Sequence, residues 1–173
     1  MSTIQEILKS KEKPKQKLIL LAKTLNEEKS AVNELIDCFD KVSDSEKGYL
    51  MEALEYVTKE NPEFGKYCLE FVIKHINYKA PRVKWEASRI IGNVAKKYPD
   101  KIKEAIPKLL KNTKDKGTVV RWSAAFALTE IAKSNPKLQK ELLPKFSEIL
   151  KKENNKGVKN IYLKALKIIE KAE

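Results

Sequence analysis

Two cysteines, one histidine and five glycines in 173 residues leave this chain little material for most kinds of chemical site. Cys38 and Cys68 fall on different predicted helices, and neither belongs to a C-x-x-C pair. With His75 as the only histidine, the roughly four clustered ligands of a zinc site cannot be assembled. The expectation is no metal, no cofactor, and two buried free thiols in a reducing compartment. His75 lies in Val72-Ile-Lys-His75-Ile76, and no motif sets a nucleophile beside it, so Ser-His-Asp and Cys-His arrangements find no support. The few glycines build neither G-x-x-x-x-G-K-[ST] nor G-x-G-x-x-G, so no phosphate cradle is expected. Beyond residue 60 the only aspartates are Asp100 and Asp115, both near predicted helix ends. Paired carboxylates for acid–base work are therefore hard to place on that half. No catalytic residue is expected.

Long apolar runs are missing too. Nothing approaches the roughly 18 residues of a membrane span, and MSTIQEILKS lacks the basic and apolar regions of a signal peptide. The expectation is a cytoplasmic protein without a membrane partner. Arginine is scarce: Arg82, Arg89 and Arg121 are the only three among 36 cations. Because arginine is the better bidentate reader of phosphate, a lysine excess alone points weakly to nucleic acid. The net charge of +12 is also uneven. Residues 1–25 carry +4, residues 26–61 carry −6, and the stretches 62–98, 99–135 and 136–173 carry +5, +4 and +5.

What the chain has is a repeat of 37 residues. Pro62, Pro99 and Pro136 recur at that interval, as do Trp85 and Trp122, Ala87 and Ala124, and Ala95 and Ala132. A fixed period of this size is the signature of stacked helical hairpins. Lys17–Leu25 reads as a helix after Pro14, and Asn26 as the cap of the next, whose apolar face is Val32, Leu35, Ile36 and Phe39. Ser43-Asp-Ser-Glu46 is a capping-box sequence opening a further helix that stops before Pro62. Three better-formed hairpins follow. Their first helices span Phe64–Ile76, Ile102–Leu110 and Leu138–Leu150, each begun near a proline that suits a first helical turn. Their second helices span Val83–Ala95, Val120–Ala132 and Val158–Ile169. Val120, Ala124, Ala127, Leu128 and Ile131 form an apolar stripe that Val83, Ala87, Ile90, Ile91 and Val94 repeat one period earlier. One hairpin cannot bury such a stripe alone; stacked neighbours can.

Ala105-Ile-Pro107-Lys-Leu-Leu110 followed by Val120-Arg121-x-x-Ala124-x-x-Ala127-Leu128-x-x-Ile131 resembles the HEAT-repeat pattern, with Leu143-Pro144-Lys-Phe146, Val158 and Ala165-Leu166 repeating it more loosely. The resemblance is strong over residues 81–150, fair from 62 to the C-terminus and weak before 60. It implies an all-α, right-handed α-α superhelix, a HEAT-like solenoid, of about four helical hairpins plus an N-terminal helical segment. The hairpins are placed at about 26–60, 61–97, 98–134 and 135–173, with residues 1–25 as an N-terminal helical cap of a single domain. One departure stands out. Lys84 replaces the arginine of the Val-Arg pair, and Asp is missing immediately before it, which predicts a broken Asp/Arg ladder between neighbouring repeats.

In HEAT-like arrays the second helices line the concave face, and the resemblance places the candidate residues there. Trp85 and Arg89 are spaced i, i+4, Trp122 and Phe126 are the matching pair one repeat on, and Asn93 and Glu130 continue the file. Together with Arg82, Lys84 and Arg121 they make a candidate ligand-contacting strip, of residue types that dominate binding hot spots. The plainer alternative is that both Trp rings are packing residues sealing the seam between second helices, with Arg89 covering one of them. The function expected is a non-enzymatic protein–protein interaction scaffold. The alternative is a nucleic-acid-binding protein, since aromatics interleaved with cations also stack on bases. A weaker resemblance is to HEAT-like DNA-alkylation-repair glycosylases, whose basic concave face bears Trp, Arg and an essential Asp; one turn after each Trp, this chain has Arg89 and Phe126 instead. The acidic 26–61 stretch beside a basic remainder also allows head-to-tail self-association.

Overall fold

The computed structural model describes residues 3–173; Met1 and Ser2, part of the expected N-terminal cap, lie outside the described residues. Eleven α-helices carry the described chain, with two 3-10 turns and no strand among those residues. They are α1 (Thr3–Lys9), α2 (Pro14–Glu27), α3 (Ala31–Phe39), α4 (Asp44–Glu60), α5 (Gly65–His75), α6 (Pro81–Val94), α7 (Pro99–Ile102), α8 (Ile106–Asn112), α9 (Thr118–Ser134), α10 (Pro136–Lys152) and α11 (Lys156–Ala172). Prolines open α2, α6, α7 and α10, where the missing N–H has no intrahelical partner to lose. The capping box at α4 forms as its sequence predicts: Ser43 Oγ accepts from Glu46 N, and the Glu46 carboxylate accepts from Ser43 N at 2.8 Å. That backbone N–H holds the Glu46 carboxyl below the usual range. Asn26, by contrast, caps nothing. Helix α2 runs on through it, and Ser30 takes the N-cap position of α3.

Packing divides the helices into two layers. In one, α2, α4, α6, α9 and α11 stack in that order, each against the next. In the other, α1 packs on α3 and α3 on α5, while each first helix also meets its own second helix. The small residues of the stripe allow the close stacking: Ala87, Ala124, Ala125 and Ala127 are buried among Val83, Ile90, Ile91, Leu128 and Ile131. Gly92 allows a close fit between α6 and α9. A Cβ there would sit 2.7 Å from Cδ1 of Phe126, so the glycine gives that ring its place. The N-terminal segment is built on the same plan, with α1 in the layer of first helices and α2 against α4.

Proline at the same repeat position has two outcomes. Pro107 starts α8 after the 3-10 turn Lys103–Ala105, dividing that first helix, whereas Pro144 sits inside an unbroken α10. Cys38 and Cys68 are buried free thiols, and burial pushes the Cys68 thiol up to about 12. His75 is buried in a cluster of rings from Phe39, Phe71 and Tyr78, and burial lowers its pKa.

Candidate functional site

The second-helix layer presents the predicted strip one element at a time. On α9, Trp122 keeps 39% of its surface exposed and stacks on Phe126, with ring centroids 6.0 Å apart and planes inclined by 15°. Phe126 is half-buried because its ring enters the gap left by Gly92. Glu130, one turn further, forms an ion pair with Lys133.

On α6 the same positions are more engaged. Trp85 is half-buried, and its indole Nε1 donates to Glu86 Oε1 at 3.0 Å. Arg89 reaches Glu55 on α4 at 3.6 Å and Glu86 at 3.9 Å. Asn93 turns toward α4, donating to the Glu55 carbonyl at 3.2 Å and to Thr58 Oγ1 at 3.3 Å. Asn93 is therefore a seam residue between α4 and α6. The strip widens onto α4 with Tyr56, which is exposed and stands 37 positions before Asn93.

Sequence reasoning missed Glu86. Only 4% of it is exposed, and its Oε2 has no hydrogen-bond partner. Burial pushes its carboxyl up to about 7; the Arg89 charge and the Trp85 hydrogen bond oppose the rise, while Glu55 and Glu52 add to it. One signal was available: Glu86 stands 37 positions before Ser123, another fully buried polar residue on the inner side of its helix.

Arg82, Lys84 and Arg121 are taken up in fastening neighbouring repeats together. Lys84 Nζ lies 2.7 Å from Asp115 Oδ2, in the turn before α9. Arg121 Nε donates to Glu153 Oε2 at 2.8 Å, in the turn before α11, and its Nη1 donates to the carbonyls of Asp115 and Lys116. One repeat earlier, Lys47 Nζ donates to Tyr78 Oη at 3.0 Å. Lys47, Lys84 and Arg121 stand 37 apart, so the three contacts are rungs of one ladder. None of these rungs pairs an Asp with an Arg side chain, so the Asp/Arg ladder is replaced by another: each cation finds its side-chain partner in the following turn, and Arg121 also binds two carbonyls of the turn before its own helix. Arg82 pairs with Glu52 and lies over the Tyr49 ring. With three rungs drawn inward, the aromatic residues and Arg89 are what the strip offers outward. A cleft of about 480 Å³ opens on the ladder side, lined by Thr113, Lys114, Arg121, Ile149 and Lys152, and its arginine is already bound to Glu153.

Among the described residues no group of three His, Cys, Asp or Glu is arranged to hold a metal ion, and no helix is long and apolar enough to cross a membrane. Residues 81–131, which include α6, α8 and most of α9, match the family model of the HEAT-like repeat. No curated protein matches the chain in sequence. Several solved structures do match in shape. A designed armadillo repeat protein in complex with the peptide (KR)4 is 20% identical, with a TM-score of 0.73, over 95% of this chain and 80% of that one. Computationally designed armadillo repeat proteins for modular peptide recognition are similar at 20% identity and a TM-score of 0.72, with the same coverage of both chains. A chain from the complex of CpcE and CpcF of phycocyanin lyase from Nostoc sp. PCC7120 is 22% identical, with a TM-score of 0.75, over 94% of this chain and 97% of that one. The protein is thus an all-α solenoid of the armadillo/HEAT type, with a HEAT-like repeat at residues 81–131.

Proposed function

We propose that this chain is a non-enzymatic protein-interaction module that holds an extended segment of a partner protein against its second-helix strip. The observation that carries this reading is the exposed Trp122, stacked on Phe126 and one repeat from Trp85. Large rigid aromatics with one face open to solvent anchor protein interfaces at low entropic cost. Similar solenoids named for peptide complexes and for a two-protein assembly support a protein partner. Trp122→Ala separates this role from packing. Retained folding with lost partner binding supports it; a collapse of the melting temperature with binding unaffected per folded molecule refutes it.

The net charge of +12 favours a second reading, nucleic-acid binding. A short DNA duplex titrated against the intrinsic Trp fluorescence at about 50 and about 150 mM salt tests it, because phosphate contacts release counterions and weaken steeply with salt. Strong quenching that persists at the higher salt would put nucleic acid first. Binding lost there leaves the protein partner, because all three arginines, the bidentate phosphate readers, already pair with carboxylates.

A further inference from the structure

The strip has an edge that neither aromatic packing nor the ladder uses. Lys59 near the end of α4, Lys96 just beyond α6 and Lys133 near the end of α9 stand 37 apart and are all exposed. Each continues the file of its helix, following Tyr56, Asn93 and Glu130 by three residues. Among the described residues Lys59 and Lys96 have no ion-pair partner, and Lys133 pairs with Glu130 alone, one turn back. Glu170 takes the next position, on α11, and ends the row. The carbonyl ends of the three helices favour lysine there in any case, but they do not use its charge beyond the last turn.

Because α4, α6 and α9 stack successively, the lysines repeat at the spacing of packed helices, about 8–10 Å. A polyproline-II segment rises 3.1 Å per residue with three residues per turn, so it repeats every ~9 Å. We propose that the partner segment is acidic, with a carboxylate at every third residue, and crosses the second helices so that successive carboxylates meet Lys59, Lys96 and Lys133. This rests on the reading of the strip as a binding surface. A continuous phosphodiester fits less well, because it carries a charge about every 3.4 Å along a strand, so most phosphates between one lysine and the next would meet no cation of this row.

The test uses two labelled 12-residue peptides of the same Pro- and Glu-rich composition, one with Glu at every third position and one with the glutamates contiguous. A third arm is an oligothymidylate of 12 nucleotides, and all are titrated by anisotropy into the full chain near physiological salt. The in-register peptide should bind severalfold more tightly than the contiguous one. The double variant Lys59→Ala/Lys96→Ala should lose about tenfold for it, as two rim charges together would cost, with an unchanged melting temperature. Equal binding of both peptides, indifference to the lysine variant, or preference for the oligothymidylate overturns the acidic register. Binding of any peptide that is lost in Trp122→Ala yet insensitive to the lysines overturns this inference and leaves the strip standing. Peptide binding insensitive to both variants overturns the two together.

Discussion

Lys84 and Asp115, 31 residues apart in the chain, meet at 2.7 Å across the step from α6 to the turn before α9, and both side chains are largely buried. The same relationship joins Arg121 to Glu153 and, with a phenol in place of a carboxylate, Lys47 to Tyr78. Each rung ties a second helix to the turn that launches the next one. The ladder thereby sets the offset between neighbouring helices and, with it, the spacing of the side chains on the strip.

Removing Asp115 should weaken that step. In Asp115→Ala the Lys84 ammonium and the Gly117 N–H both lose their acceptor. The cost expected is about 1–3 kcal/mol for partly buried groups left unpaired, read from denaturant unfolding. Burial alone would raise the Asp115 carboxyl, but Lys84 and the Gly117 N–H outweigh it and hold the group below its ordinary value. Its contribution is therefore fully present above the unfolded-state value, near 3.8, and is lost as pH falls through the lower folded value. The difference between wild type and Asp115→Asn should vanish in strong acid. A difference that persists there would mean the ion pair is not its source.

Glu86 should behave in the opposite sense. Its folded-state pKa, about 7, lies above the ordinary 4.5. The folded protein then holds the extra proton between those values, so stability falls as pH rises from 4.5 to 7 and levels off beyond. The span corresponds to about 3 kcal/mol. Glu86→Gln, which keeps an oxygen for Trp85, should remove that slope and stabilise the protein at pH ~8 by about that amount, with little effect in mild acid. Unfolding curves of both proteins across this pH range check it; parallel pH profiles would refute it.

Gly92→Ala should be among the most costly single-methyl changes in the chain. The added Cβ meets the Phe126 ring well inside contact distance, and the expected loss is about 1–3 kcal/mol, typical of overpacking. In a Phe126→Ala background the same substitution should cost much less, because the atom it strikes is gone. A double-mutant cycle of melting temperatures measures the coupling. Additive costs would show that the ring is free to move aside.

The two tryptophans should separate in stability. Trp122→Ala removes a ring that is 39% exposed and should cost less than the ~3–5 kcal/mol of a fully buried aromatic. Trp85→Ala should cost more, since it uncovers Glu86 and takes away a hydrogen-bond donor from that carboxylate. Thermal unfolding of both variants gives the comparison.

Much of this was legible in the sequence because repetition makes periodic positions visible. The 37-residue spacing located the second helices and the stripe Val120, Ala124, Ala127, Leu128 and Ile131, all of them buried. It also put Trp122 and Phe126 on one file, and they do stack. The substitute ladder was not legible because a ladder is defined by partners in space. Asp115 and Glu153 sit in turns whose direction is set by tertiary packing, and the sequence pattern directed attention to the turn before each helix rather than the one after it. Asn26 was misread because capping propensity is local, and the apolar contacts of Leu21, Ala22 and Leu25 extend α2 past it. Glu86 escaped notice because a lone glutamate in an amphipathic helix ordinarily faces water. The stack of α4 on α6 shows that it does not, and its repeat partner Ser123 was the one hint in the sequence.

The central claim, that a polypeptide partner docks on the strip at Trp122, is tested most directly by site-specific photo-crosslinking in cells that express the protein. A photoreactive phenylalanine analogue replaces Trp122 in one version and Lys140, exposed on α10, in the other. A discrete protein adduct from position 122 and none from position 140 is the predicted result. Equal adducts from both positions, adducts to nucleic acid alone, or no adduct from position 122 would contradict it.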